Sequence, residues 1–276
     1  MKRIPWMLMV SALAVAPGCP VPQDQNTRVA ERMERDPVSG HGYWLFVPDT
    51  YDWARAAPLI VTCHGSPPWD VANHHIREWK KLAEDNGCIV LAPELGGTDG
   101  IVGNGPVNAM KDNEDAILSL ISMVGYRYNI DMANIMLTGF SGGGFPTYWV
   151  GLRNPDIFSV LALRSCDFCE YNLDGWYSPD AAGKQAIKIY WGEFDPAPIK
   201  VQSESGQAYL ANRSFSVAPE EIIPGIGHER RPEVAMEFFR ANWRKPKPSQ
   251  PALAPARAPA RAGGLAPARD TGSGSQ

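Results

Sequence analysis

Residues 134–145 read Asn-Ile-Met-Leu-Thr-Gly-Phe-Ser-Gly-Gly-Gly-Phe (NIMLTGFSGGGF). Ile135–Thr138 is a short apolar run of strand character, and it breaks into glycines around Ser141 before a helical pattern that continues to about Arg153. A serine on a sharp strand-to-helix turn has its hydroxyl exposed. Gly139 and Gly143 suit such a turn because side chains there would collide across it. In a chain with 26 glycines a Gly-x-Ser-x-Gly pattern can arise by chance. Whether Ser141 is a nucleophile or a turn residue therefore depends on the rest of the chain.

Outward from that stretch the pattern alternates. Strand-like segments at 41–47, 58–63, 88–92, 135–138, 158–163, 186–191 and 221–223 are separated by helical periodicity. One helix begins at Asn73, carries Ile76, Trp79 and Ala83 on one face and stops at Asn86-Gly87. A second shows Ile117, Leu120, Ile121 and Val124 at helical spacing; others follow near 199–211 and around Val234, Phe238, Phe239 and Trp243. Strands regularly separated by helices predict an α/β fold with a mostly parallel central sheet and helices on both faces. In such sheets the chemistry collects at the carboxyl ends of the strands.

A serine hydroxyl becomes nucleophilic only when a base takes its proton and a third group orients the base. Asp195, in Gly-Glu-Phe-Asp-Pro four residues past a strand end, is the candidate acid, with Glu193 behind it. His228, in Pro-Gly-Ile-Gly-His-Glu, is the histidine that follows the acid in the chain. A turn aspartate before proline is the plain alternative for Asp195. The Gly142 N–H falls at a helix N-terminus, where negative charge is favoured, and serves as one oxyanion donor. The second comes from the loop after strand 58–63, where the Ser66 N–H is assigned and Gly65 is the fallback. His74 and His75 read as surface residues, and His41 as a strand-edge residue. A metal site using His74 and His75 with His64 lacks carboxylates that can be placed.

The order Ser141, Asp195, His228 is the order of the α/β-hydrolase triad. Trp44–Thr50 with Tyr51-Asp52-Trp53, Pro58–Gly65, Tyr128–Asp131, Leu137–Gly143 and Gly192–Asp195 carry the likeness further. With these stretches the chain resembles the α/β-hydrolase superfamily, most closely its polyhydroxybutyrate-depolymerase and feruloyl-esterase-like branch. The resemblance implies a serine esterase that needs no cofactor, with Ser141, Asp195 and His228 as triad. Pro67-Pro68-Trp69 after Gly65, and Phe140 and Gly144 in the elbow, depart from the branch's pattern.

About twenty residues, Arg164 to Gly183, stand where a lid is often inserted, so a minimal lid or none is expected. An open site favours bulky, aromatic or polymer-linked esters. Trp69, Trp176 and Tyr177 either stack on such a substrate or pack their loops onto the domain. Two other functions stay open: a serine peptidase of prolyl-oligopeptidase-like type, and a non-catalytic envelope binding protein with a hydrolase fold.

Net charge is −4, which offers no basic field to nucleic acid. Met1-Lys2-Arg3, the apolar run Ile4–Ala16 and Pro17-Gly18-Cys19 have the layout of an export signal, and Cys19 stands where a bacterial lipoprotein is acylated. The expected organisation is a signal over 1–19, a linker over 20–40, a catalytic domain over 41–245 and a Pro/Ala/Arg-rich tail over 246–276. APAR recurs in that tail at 254–257, 258–261 and 266–269, a composition expected to stay disordered. The chain is thus expected in the cell envelope, tethered through Cys19, or secreted. Cys63, Cys88, Cys166 and Cys169 then form an even set, and Cys166-Asp-Phe-Cys169 reads either as a disulfide loop or as thiols. Oligomeric state is not legible.

Overall fold

The computed structural model describes residues 33–99, 107–178 and 180–244. The expectations for the export signal, Cys19 and the C-terminal tail lie outside the described residues. Eight strands form one sheet: β1 (Glu34–Arg35), β2 (Gly42–Phe46), β3 (Ala57–Cys63), β4 (Ile89–Pro93), β5 (Ile130–Ser141), β6 (Val160–Cys166), β7 (Ala186–Gly192) and β8 (Glu221–Ile223). Their spatial order is β1-β2-β4-β3-β5-β6-β7-β8. The β1–β2 and β2–β4 pairs are antiparallel, and every later pair is parallel. The expected linker therefore needs a correction: β1 lies inside 20–40, and Asp36 just after it is buried. A two-residue edge strand carries too little periodicity to be read from sequence.

Helices α1 (Ala72–Asn86), α2 (Val107–Arg127), α3 (Gly144–Arg153), α4 (Ala181–Lys184), α5 (Ala197–Asn212) and α6 (Pro232–Ala241) cover the sheet. Alternation along the strands sorts the core into two layers. Ile60, Val90, Met136, Val160 and Ala162 pack with Ile76 and Trp79 of α1 and Met236 and Phe239 of α6. Their neighbours Leu59, Val61, Leu91, Leu137 and Leu161 pack with Leu120 of α2, Trp149 of α3 and Leu210 of α5. Burial on both faces is why β3, β4 and β6 read as continuous apolar runs.

The register places the functional loops. Cys63 at the end of β3 pairs with Gly139 of β5, and Ser141 pairs with Cys166 at the end of β6. Gly192 at the end of β7 pairs with Ile223 at the end of β8. Loops leaving β3, β5, β7 and β8 at their carboxyl ends thus open on the same side of the sheet. α1 stops where Gly87 turns left-handed at φ 64°, with the Cys88 N–H donating to Ala83 O at 3.0 Å.

Candidate active site

Ser141 ends β5 at φ 53°, in the left-handed region that a non-glycine residue occupies at a cost. Two close approaches make that turn possible. A Cβ on Gly139 would run into the Gly143 carbonyl and the Thr147 hydroxyl, and one on Gly144 into the main chain of Asp167 at the end of β6. The third glycine is therefore a seat for the neighbouring strand rather than slack in the turn. Gly143 caps α3, so the Gly142 N–H stands at that helix's positive end.

Asp195 follows β7 and is 3% exposed. Its Oδ1 lies 2.6 Å from His228 Nδ1. Its Oδ2 accepts from the Gly192 N–H at 2.6 Å and from the Ser165 hydroxyl at 2.7 Å. A carboxylate can only accept, so Nδ1 of His228 carries the proton and Nε2 is left as the basic nitrogen. Phe140 packs its ring on the imidazole at 4.6 Å between centroids. The bulky residue between Gly139 and Ser141 thus supports the histidine. Glu193 points elsewhere and accepts from the Gly225 N–H at 2.9 Å, bracing the loop that leads to His228.

The β3 loop is held from several sides. His64 Nε2 accepts from the Leu95 N–H at 3.0 Å, which leaves Nδ1–H to donate to Gly65 O at 2.8 Å. Thr98 Oγ1 donates to the same carbonyl at 2.8 Å. The Gly65 N–H donates to Asp70 Oδ2 at 2.8 Å, so its donor is already used and Gly65 is excluded as the fallback oxyanion donor. Ser66 lines the cleft, and its hydroxyl donates to Thr98 O at 2.8 Å.

The cleft holds about 610 Å³ and brings Ser66, Ser141 and His228 together with Trp69, Phe140 and Arg230. Trp69 is 70% exposed. The other two aromatics read from sequence belong to packing: Trp176 lies on Trp149 of α3 at 5.7 Å, and Tyr177 meets Tyr209 and Phe215. Past the end of β6, the described residues of the 164–183 connection hold a 3-10 turn, Glu170–Asn172, and α4, and bury Phe168 and Leu173 against the core. Among the described residues, none that lines the cleft comes from it. Cys166 is a free thiol that donates to Gly139 O at 3.1 Å, so the 166–169 disulfide is not formed. Burial pushes the Cys63 and Cys88 thiols up to about 12, as inert core groups.

Beneath the cleft lies an ionic cluster that the sequence reading missed. His75 is fully buried, which corrects its assignment to the surface. Its Nε2 bonds Asp70 Oδ2 at 2.9 Å, while Nδ1 meets Thr62 Oγ1 at 2.7 Å and Arg164 Nη2 at 3.2 Å. With donors on one nitrogen and a carboxylate on the other, the ring is neutral and protonated on Nε2. Burial lowers its pKa, and Asp70 and Glu78 only partly oppose that. Arg164, also fully buried, pairs with Glu78 at 2.7 Å. Burial raises the Asp70 carboxyl, but bonds from His75, Arg230 and Gly65 outweigh it and hold the group well below the usual carboxylate range. Only the helical position of His75, one residue before Ile76 on a buried face, hinted at this burial. Among the described residues no three His, Cys, Asp or Glu side chains group as a metal site.

No family model matches the chain. It is 30% identical over 118 residues to a bifunctional acetylxylan esterase/xylanase of Neocallimastix patriciarum, covering 42% of this chain and 16% of that protein. It is 26% identical over 155 residues to a poly(3-hydroxybutyrate) depolymerase of Ralstonia pickettii, covering 51% and 31%. A dipeptidyl-peptidase 5 of Porphyromonas gingivalis matches at 26% over 144 residues, covering 49% and 20%. The chain thus spans less than a third of the length of each of these relatives. Among solved structures, a thermostable esterase superposes with a TM-score of 0.57 at 20% identity, covering 78% of this chain and 63% of that one. A ferulic acid esterase from Anaeromyces mucronatus superposes with a TM-score of 0.56 at 14% identity, covering 78% and 89%. The fold is that of an α/β hydrolase. Within this fold, Ser141 at the end of β5 and His228 in the loop after β8 line one cleft, and Asp195, in the loop after β7, bonds the histidine.

Proposed function

We propose that the chain is a serine esterase that hydrolyses carboxylic esters through an acyl-enzyme. The observation that carries the reading is the 2.6 Å His228–Asp195 bond opening onto the cleft that Ser141 also lines. Ser141 Oγ attacks the ester carbonyl while His228 Nε2 takes its proton, and Asp195 stabilises the imidazolium that forms. The oxyanion is met by the Gly142 and Ser66 N–H groups. As the tetrahedral intermediate collapses, the ester C–O bond breaks and the imidazolium returns the proton to the leaving alkoxide. Water, deprotonated by His228, then attacks the acyl-enzyme and releases the acid and Ser141.

Exposed Trp69 at the rim, and a cleft to which no described residue of the 164–183 connection contributes, favour bulky, aromatic or polymer-linked esters. The acetylxylan esterase and polyhydroxybutyrate depolymerase among the relatives support that class. The dipeptidyl-peptidase relative favours a second reading, amide hydrolysis by the same three residues. The cationic and apolar start ending in Gly18-Cys19 supports export to a bacterial envelope, and among the described residues no helix is long and apolar enough to cross a membrane. The test compares the full chain with Ser141→Ala on p-nitrophenyl esters of rising acyl length, a feruloyl ester and dipeptidyl anilides. Ester turnover abolished by the alanine is expected. Faster turnover of the anilides would favour the peptidase, and no turnover of either class would overturn both.

A further inference from the structure

We propose that Asp70 is a positioning residue that clamps the oxyanion loop to the histidine loop. This role rests on the esterase reading. The carboxylate is 5% exposed and joins two segments of the cleft that are far apart in sequence. Its Oδ2 holds the Gly65 N–H at 2.8 Å, one residue before Ser66. Its Oδ1 accepts two bonds from Arg230, two residues after His228: Nε at 3.1 Å and Nη2 at 2.5 Å. Arg230 lies over the Phe140 ring at 5.4 Å, and Phe140 packs against His228. The imidazole is thus steadied by Asp195 through its Nδ1 and by the Arg230–Phe140 stack across its face.

The clamp cannot swing freely. His75 occupies Oδ2 from below and is itself fixed by Thr62 and Arg164 on its other nitrogen. Arg230 also reaches Glu78 at 3.5 Å, so the guanidinium sits between two carboxylates. Two N–H groups of one planar guanidinium converge on Oδ1, which fixes orientation as well as distance in a way a lysine would not. Catalysis requires the base and the oxyanion donors to be placed within fractions of an ångström of each other. Asp70 contacts both loops directly.

The two arms can be separated by substitution. In Asp70→Asn the amide oxygen can retain the Gly65 and His75 bonds, while its NH₂ faces Arg230 and cuts the histidine arm. Arg230→Met cuts the same arm from the other side and keeps an aliphatic stem over Phe140. We expect each single variant of the full chain to lose about 10- to 100-fold in kcat on a p-nitrophenyl ester with KM unchanged. The double variant should be no worse than the poorer single, and Arg230→Lys should recover part of the loss. Fluorophosphonate labelling should slow in parallel, and Arg230→Met, which leaves Asp70 its Gly65 and His75 bonds, should remain folded at the assay temperature although its melting temperature falls. Full kcat in Arg230→Met, or additive losses in the double variant, would overturn the clamp while leaving the esterase reading intact. A parent protein with neither ester turnover nor label would overturn the esterase reading and the clamp's role with it.

Discussion

Ser165 stands at φ 47° at the end of β6 and donates its hydroxyl to Asp195 Oδ2 at 2.7 Å. Together with the Gly192 N–H it occupies the oxygen of Asp195 that does not face His228. The carboxylate is thereby fixed with Oδ1 toward the imidazole. A hydrogen bond to a charged group contributes about 1.5–3 kcal/mol, and the Gly192 donor remains when Ser165 is truncated. Ser165→Ala should therefore lower kcat about tenfold with KM unchanged. Asp195→Asn, which removes the negative charge and favours the wrong tautomer, should cost about 10⁴-fold. Steady-state kinetics on one p-nitrophenyl ester ranks the two. Equal losses would contradict a supporting role for Ser165.

Trp69 lines the cleft with most of its surface in water, and none of the described ring pairs includes it. Aromatic contacts contribute about 0.5–1.5 kcal/mol beyond area burial. Trp69→Ala should raise KM about threefold to tenfold on a feruloyl ester and leave p-nitrophenyl acetate unaffected. Parallel initial-rate curves on the two substrates check it. Equal effects on both would place the indole in the structure of the loop rather than in substrate binding.

Buried, neutral His75 makes stability depend on pH. Its folded pKa is lowered below the ordinary 6.5, so the unfolded chain takes up a proton where the native protein does not. The stability it contributes is complete above about pH 6.5 and is lost as pH falls through the folded value. Denaturant midpoints should decline as pH falls from about 6.5 to 5, and His75→Gln should flatten that slope. An unchanged slope in the variant would contradict a neutral buried ring.

Much of this was legible because it followed periodicity or chain order. Ile135–Thr138 before Ser141, and Gly87 after Asn86, carry their own signals of strand, turn and helix end. Asp195 and His228 were found by where they fall relative to strand ends. Ser165, Asp70 and Arg230 carry no such signal, because their roles come from strand register and loop packing across as many as 160 residues. His75 was misread for the same reason. A histidine beside another histidine on a helix looks solvated until Thr62 and Arg164 are placed against it by the sheet. Trp69, Trp176 and Tyr177 were indistinguishable in sequence, and only their packing partners separate the first from the other two.

The central claim is that Ser141 is a nucleophile activated by His228. The most direct measurement is fluorophosphonate modification of the full chain, followed by peptide mapping by mass spectrometry, in parent, Ser141→Ala and His228→Ala. The account predicts one adduct, on the peptide containing Ser141, absent in Ser141→Ala and formed far more slowly in His228→Ala. A folded parent protein that takes no label, or takes it at another residue with Ser141 unmodified, would contradict it.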